Sequence, residues 1–234
     1  MSSIIKIRCL TTIILLLTFC SALPADRLVI KTGAELGNSF TTDFIGGGFV
    51  IPEWNVANNI KLSSGIMITN EKKTSVFMSN TVKILSRNYE FRITDKFLCN
   101  NYNSWNMQEF LFFTGLGATV RHFDGMLGIS FRVMTRKDSY YKESIFEPFN
   151  FQYDMGMILF TQPKRWNIRL SISNYDVFLF ERAENIIFSL KGNYRFSNRF
   201  SIFCTANLRP AGNFNLTANY YSFYMQIGIQ WTIF

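Results

Sequence analysis

The sequence predicts an all-β fold, namely an antiparallel, up-and-down transmembrane β-barrel of about 12 strands, with ten strands as the alternative. Four observations lead to this prediction. Apolar residues alternate with small or polar ones along most of the chain, and aromatic residues make up 17% of its 234 positions. After the first 25 residues, no stretch reaches the roughly 18 continuous apolar residues that a membrane helix requires. Charged residues make up only 17% of the chain, below the roughly 25% of ordinary soluble domains.

Residues 1–25 are predicted to be a secretory signal peptide, which leaves residues 26–234 as a single domain. Lys6 and Arg8 form a short basic region ahead of the apolar run 9–20. That run of about 12 residues is too short to span a bilayer, and small residues suited to cleavage follow it. Removal of this segment leaves 22 basic and 16 acidic residues, a net charge of +6.

A lipoprotein signal in which Cys20 is acylated is the alternative for this segment. Phe19, directly before that cysteine, is bulky and fits such a signal poorly. The two cysteines that remain, Cys99 and Cys204, are far apart in the sequence and do not form a disulfide framework.

Six strands are predicted in the first half of the chain, at 27–37, 44–54, 60–68, 74–85, 89–98 and 109–121. The clearest is the third, in which Ile60, Leu62, Ile66 and Ile68 oppose Lys61, Ser63 and Gly65. The second is the poorest, because three glycines at 46–48 and Pro52 fall within it. A proline is tolerated only near a strand end, where its missing N–H matters least.

Six more strands are predicted at 126–133, 149–161, 166–173, 186–196, 200–208 and 221–233. The last shows the clearest alternation, with one apolar parity made of Tyr221, Phe223, Met225, Ile227, Ile229, Trp231 and Ile233. Its other parity is mostly small or polar: Ser222, Tyr224, Gln226, Gly228, Gln230 and Thr232. A helix would scatter these side chains, and the run is longer than the usual 5–6 residues of a soluble strand.

Connections of two lengths alternate between these strands. Short ones are predicted at 56–58, 86–88, 122–124, 163–165 and 197–199, and longer polar ones at 99–108, 135–148, 175–185 and 209–219. Short turns at one rim and longer loops at the other are typical of membrane barrels. Closure is expected because lipid offers backbone groups no hydrogen-bond partner, so that no strand edge stays open.

Five aromatic side chains fall near the short-turn rim and predict an aromatic girdle at one membrane interface. They are Trp54, Trp166, Phe196, Phe200 and Trp231. The alternative is a soluble β-sandwich or barrel, in which the same alternation would bury these side chains. The low charge disfavours that alternative, because a soluble sheet turns its polar face to water.

With these features the chain resembles bacterial outer-membrane β-barrel proteins over almost all of the region after the signal peptide. The terminal Phe234 resembles the C-terminal assembly signal of that class, although it shares the parity of Thr232 and Gln230 rather than the apolar one. The resemblance implies export to the outer membrane, contact with its lipid bilayer and recognition by the barrel-assembly machinery.

If the apolar side chains of each strand face lipid, the side chains that alternate with them face the lumen. Ten basic residues are predicted there: Lys31, Lys61, Lys83, Arg92, Lys96, Arg121, Arg132, Arg169, Lys191 and Arg195. Three acidic residues accompany them, Glu35, Glu90 and Asp154. Surplus positive charge in a pore concentrates anions and repels cations.

The sequence therefore predicts a small porin-like channel whose basic lumen favours anionic solutes. Barrels of about 8 strands are filled by side chains whereas about 16 strands leave a channel, so the same charged residues could instead form ion pairs that fill the lumen. The protein would then be a non-conducting structural or adhesin barrel that binds a partner through its loops, with the mixed-charge loop 135–148 as the best candidate.

No enzyme activity, metal site or cofactor is predicted. His122 is the single histidine and is expected in a short periplasmic turn, away from the outer rim where barrel-borne lipases usually work. No cluster of His, Cys and Asp has metal-ligand spacing. Nucleic-acid binding is not predicted, because the basic residues alternate with apolar ones rather than forming one patch.

Overall fold

The computed structural model describes residues 27–39, 42–85, 89–137, 142–160, 165–182, 185–211 and 219–233 as one closed barrel with a small inserted hairpin. The first six barrel strands are β1 (Arg27–Ser39), β2 (Thr42–Ala57), β3 (Ile60–Thr69), β4 (Lys73–Leu85), β5 (Tyr89–Tyr102) and β6 (Met107–Val120). They are followed by β7 (Phe123–Lys137), β8 (Lys142–Phe160) and β9 (Trp166–Ser173). The hairpin is β10 (Tyr175–Asp176) and β11 (Leu179–Phe180), and the barrel ends with β12 (Ile187–Arg195), β13 (Phe200–Ala211) and β14 (Asn219–Thr232).

Every barrel strand pairs antiparallel with its neighbours, and β1 pairs with β14 to close the cylinder. The predicted twelve-strand barrel is therefore confirmed, and the ten-strand alternative is not adopted. A 3₁₀ turn at Asn103–Trp105 is the short helical element between β5 and β6. None of the helical structure in the described ranges is long and apolar enough to cross a membrane. The predicted signal peptide 1–25 and Phe234 lie outside the residues that the structure describes.

Both ends of the barrel wall lie at one rim, here called the terminal rim, because the start of β1 pairs with the end of β14. The opposite rim is called the far rim. Side chains alternate strictly between the two faces of the wall: in β6, Leu111 and Phe113 are 1% exposed, whereas Phe112 and Leu116 on the other parity are 47% and 67% exposed. The outer surface is thus covered by large apolar side chains, as hydrocarbon surroundings require.

The longer connections differ most from the sequence-based prediction. β5 and β6 run through most of 99–108, and β7 and β8 occupy most of 135–148, of which 138–141 are not among the described residues. β13 likewise continues to Ala211. Polar residues beyond the apolar band still satisfy their backbone groups by strand pairing, so the strands continue where the alternation ends.

The seam between β1 and β14 depends on two glycines that face each other, Gly33 and Gly228. A Cβ atom on Gly228 would overlap the carbonyl oxygen of Thr32 and lie 2.8 Å from Cα of Gly33. It would also lie 2.7 Å from the Phe203 ring, which covers the glycine from the lumen. Close approach of the two backbones is therefore possible at this point only without a side chain.

Candidate functional site in the lumen

The first part of the segment predicted as the polar surface loop 175–185, residues 175–182, instead folds into the barrel. Asn174, at the start of this inward segment, is fully buried. Its side-chain amide donates to the carbonyl of Phe151 (2.8 Å), and its side-chain oxygen accepts from the backbone N–H of Tyr153 (2.8 Å). The N–H of Glu181 donates to the carbonyl of Asn174 (2.8 Å) and closes the base of the hairpin. Residues 174–182 are called the lumen hairpin below.

Aromatic packing holds the lumen hairpin against the wall. The Phe178 ring lies 5.3 Å from Phe77 and 6.2 Å from Phe49, measured between centroids. The Phe180 ring lies 5.5 Å from Phe113, which also contacts Tyr175 at 5.4 Å. Phe178 and Phe180 are both almost completely buried, so an apolar core fills part of the lumen.

Basic and amide side chains of the wall bind the backbone of the lumen hairpin. The Lys96 ammonium donates to the carbonyls of Asp176 (3.4 Å) and Val177, and the Arg132 guanidinium donates to the carbonyl of Phe180. The Gln152 amide donates to the carbonyl of Glu181 (3.1 Å). Two predicted lumen-lining residues, Lys96 and Arg132, therefore act here as anchors for an inserted segment.

The Asp176 carboxylate reaches the wall on the other side. It accepts hydrogen bonds from the Asn207 amide (3.5 Å), the Tyr224 hydroxyl (3.5 Å) and the Gln226 amide (3.4 Å) on β13 and β14. The lumen hairpin therefore spans from β5–β8 to β13–β14. A segment with contacts to both sides constricts the passage through the barrel.

The inward-facing charges are more balanced than the sequence predicted. Ion pairs join Lys31 to Glu53 (2.9 Å), Lys83 to Glu90 (3.0 Å), Arg92 to Asp124 (2.7 Å), Arg132 to Glu109 (2.9 Å), and Arg169 to Asp124 (3.0 Å) and Asp154 (2.9 Å). The predicted ratio of ten basic to three acidic residues is therefore wrong. It missed Glu53 beside Pro52, Asp124 in an expected turn and Glu109 at the start of an expected strand, all of which the strand pairing turns inward.

Two residues predicted to line the lumen do not. Arg121 lies in the turn between β6 and β7 with a φ of 52°, and its side chain is exposed. Arg195 is the last residue of β12 and is exposed at the terminal rim. Both lie where a strand ends, so that parity no longer fixes the direction of the side chain.

A cavity of about 470 Å³ lies on the terminal-rim side of the lumen hairpin. Its lining includes five basic residues, Lys31, Lys61, Lys96, Arg169 and Lys191, and three acidic ones, Glu53, Asp154 and Asp176. Lys61 is 3.9 Å from Glu53, a carboxylate already paired with Lys31. Lys191 forms no ion pair with the residues that the structure describes. The cavity therefore holds positive charge without close compensation.

The predicted aromatic girdle residues divide into two groups. Trp166, Phe196, Phe200 and Trp231 are about half exposed near the terminal rim, and the last two stack with centroids 6.0 Å apart. Trp54 is only 8% exposed, and a bulge in β2 follows it at Asn55 to Ala57. Trp54 therefore does not expose its ring at the barrel surface as the other four aromatic residues do.

The remaining candidates lie at the rims of the barrel. His122 is exposed in the turn between β6 and β7, where its carbonyl accepts from the N–H of Ile158 (2.7 Å). Among the residues with described positions, no three His, Cys, Asp or Glu side chains are grouped to hold a metal ion. From the predicted loop 135–148, Arg136 and Glu143 are exposed at the ends of paired strands.

Asp124 is expected to stabilise the barrel strongly, because it lies between two guanidinium groups and accepts from the Thr119 hydroxyl (2.7 Å). Asp124→Asn would leave Arg92 and Arg169 facing each other in a mostly buried site. We expect it to lower the free energy of unfolding by about 3 kcal/mol, measured from the urea dependence of the folded fraction. Glu90→Gln, in a more exposed pair, should cost about 1 kcal/mol or less. Equal effects of the two variants would contradict this role for Asp124.

Comparison with known proteins gives a fold rather than a family. No family model matches the sequence, and no curated protein matches it. A structure of the KdgM porin in complex with disordered oligogalacturonate is similar over 87% of this chain and 98% of that chain, with 9% identity and a TM-score of 0.55. The NanC porin gives 12% identity and a TM-score of 0.56 over the same shares of the two chains.

An enzyme has a related architecture. Outer membrane phospholipase A from Escherichia coli is similar over 87% of this chain and 92% of that chain, with 5% identity and a TM-score of 0.50. These similarities show the fold alone, since one fold supports many functions. The chain thus folds as a closed twelve-strand barrel of the architecture found in outer-membrane porins.

Proposed function

We propose that this protein is a porin-like channel of the outer membrane that passes small anionic solutes past the lumen hairpin. The observation that carries the proposal is the cavity below the hairpin, whose lysines exceed their carboxylate partners. The apolar outer surface supports a place in the membrane. The solved porins with the same architecture support transport rather than catalysis, and one of them is described with oligogalacturonate.

Two lysines supply the unbalanced charge. Lys61 shares a carboxylate with Lys31, and Lys191 has no ion pair among the described residues. A narrow site with low-dielectric walls strengthens the field of such charges and raises the local concentration of anions. Asn167, Asn193 and Gln230 also line the cavity and offer hydrogen-bond donors to an oxyanion.

We infer that the terminal rim faces the periplasm, because membrane barrels keep their short turns and termini on that side. The cavity then lies on the periplasmic side of the lumen hairpin. A solute from outside has to pass the hairpin before it reaches the lysines. Constriction and charge selection are therefore separate in space and can be tested with separate variants.

Charge reversal in the cavity is expected to reverse the ion preference. In planar bilayers under a salt gradient, the wild-type protein should prefer anions, and Lys61→Glu combined with Lys191→Glu should lower the anion-to-cation permeability ratio by at least about threefold. The reversal potential measures this ratio. Arg121→Glu combined with Arg195→Glu makes the same change of charge at two exposed positions that do not line the lumen and serves as the control. Cation preference of the wild-type protein would overturn the proposal.

The second candidate function is that of a non-conducting structural or adhesin barrel, which binds a partner at its rims. The buried aromatic contacts of Phe178 and Phe180 favour it, because a packed core resists the passage of solutes. Absence of conductance both in the wild-type protein and after removal of the lumen hairpin would support this candidate against the channel.

A further inference from the structure

A group of polar side chains lies on the outer surface of the barrel wall, away from the lumen. Asn80 on β4, Asp95 on β5 and Thr114 on β6 are direct partners across the three strands, in one row. The Thr114 hydroxyl donates to the Asp95 carboxylate (2.8 Å). These three residues are called the outer polar row.

The alternation of the strands fixes the direction of the outer polar row. Lys96, next to Asp95, is buried in the lumen and bonded to the hairpin, and Phe113, next to Thr114, belongs to the luminal core. Asp95 and Thr114 therefore point outward. The row is surrounded by apolar side chains that are 40% to 67% exposed: Met78, Ile93, Phe97, Phe112 and Leu116.

The outer polar row lies near the middle of the wall. Asp95 is six residues from Tyr89 at one end of β5 and seven from Tyr102 at the other. With a rise of about 3.3 Å per residue and a strand tilt of about 40°, each end is roughly 15 Å or more away along the barrel axis. Lipid headgroups and water are therefore out of reach of the carboxylate, which lies in the most apolar zone of a bilayer.

The barrel itself supplies only part of the hydrogen bonds that the polar groups of this row can form. A carboxylate has room for about four hydrogen bonds, and Asp95 receives one, from Thr114. Because an ionisable group in hydrocarbon is expensive unless it is paired, the row calls for a partner that brings polar groups to the same depth.

We propose that the outer polar row is the centre of an interface with a second copy of this chain. A two-fold axis along the membrane normal places the Asp95 carboxylate of one copy opposite the Asn80 amide of the other, and the reverse contact forms by symmetry. Donor and acceptor are both present in the row, so it is complementary to itself. A second copy in the same membrane also carries the row at the same depth without further adjustment.

Thiol cross-linking in native outer membranes tests the proposal. Ile93 and Leu116 are paired neighbours of the row on the outer surface, and either is changed to cysteine in a background of Cys99→Ser and Cys204→Ser. A short bis-maleimide should link Leu116→Cys or Ile93→Cys molecules into a dimer. Leu190→Cys, exposed on β12 on another part of the wall, should stay monomeric.

Substitutions in the row test whether formation of the cross-linked dimer depends on these residues. Asp95→Leu, added to Leu116→Cys, should reduce the dimer yield at least tenfold, and Asp95→Asn should retain it because the amide still bonds to its partner. Thr32→Val, which removes an outward hydroxyl four strands away, should leave the yield unchanged. Heat-modifiable gel migration confirms that each barrel is folded. Linkage to a protein of another mass, no linkage, or a yield indifferent to Asp95→Leu would overturn the proposal.

Discussion

Replacing residues 175–182 with a short glycine–serine linker is expected to raise the single-channel conductance at least about tenfold. The lumen hairpin contacts β2, β4 and β6 through aromatic rings and β13 and β14 through Asp176. Its removal takes away the segment that joins the two sides of the lumen. Twelve strands then enclose a passage lined by the side chains of the wall alone.

Planar-bilayer recording of the purified protein measures this effect, and two further variants define its cause. Phe178→Ala combined with Phe180→Ala removes the packing but keeps the segment, and should give frequent openings of smaller amplitude. A glycine–serine replacement of the exposed turn Asn103–Trp105, between β5 and β6 on the same rim, should leave conductance unchanged. An unaltered conductance in the variant without the hairpin, with heat-modifiable migration intact, would contradict the role of the hairpin as constriction.

The strands could be predicted because a barrel wall in lipid imposes a simple pattern. Each of the twelve predicted segments corresponds to one strand, including 44–54, where three glycines and Pro52 weaken the pattern. Outward residues must be apolar and neighbours along the strand must not be, so a period of two appears in the sequence itself. The strand ends were missed at the far rim, since the pattern fades there while the backbone pairing continues.

The site could be predicted only in part, because parity gives the face of a residue and not its partner. The sequence predicts that Lys31, Lys61 and Lys191 face the lumen, and all three line the cavity found there, but the pairing of Arg92 with Asp124 depends on register between strands. The lumen hairpin had one signal: residues 175–180 include Tyr, Val, Leu and two Phe. So many apolar residues do not suit an exposed loop, and the aromatic spacing of two matches the observed inward packing.

The closure of the barrel is the feature on which both the channel and the dimer depend, and a side chain at Gly228 in the seam of β1 and β14 would oppose it. Gly228→Val would drive a side chain into the backbone of Thr32 and Gly33 and into the Phe203 ring. The backbone cannot move away without losing the pairs that close the cylinder. We expect a loss of about 3 kcal/mol or more in the free energy of unfolding, seen as a lower urea midpoint.

A glycine elsewhere in the wall separates this steric effect from a general cost of replacing glycine. A Cβ atom on Gly192 of β12 would meet only the Cys204 carbonyl oxygen, at 3.9 Å. Gly192→Val should therefore be tolerated, and valine suits a strand better than glycine does. If both variants shift the urea midpoint equally, close approach at the seam is not what requires Gly228. If Gly228→Val alone fails to close, its unpaired β1 and β14 edges should also make it aggregate in detergent, because an open sheet edge recruits other strands.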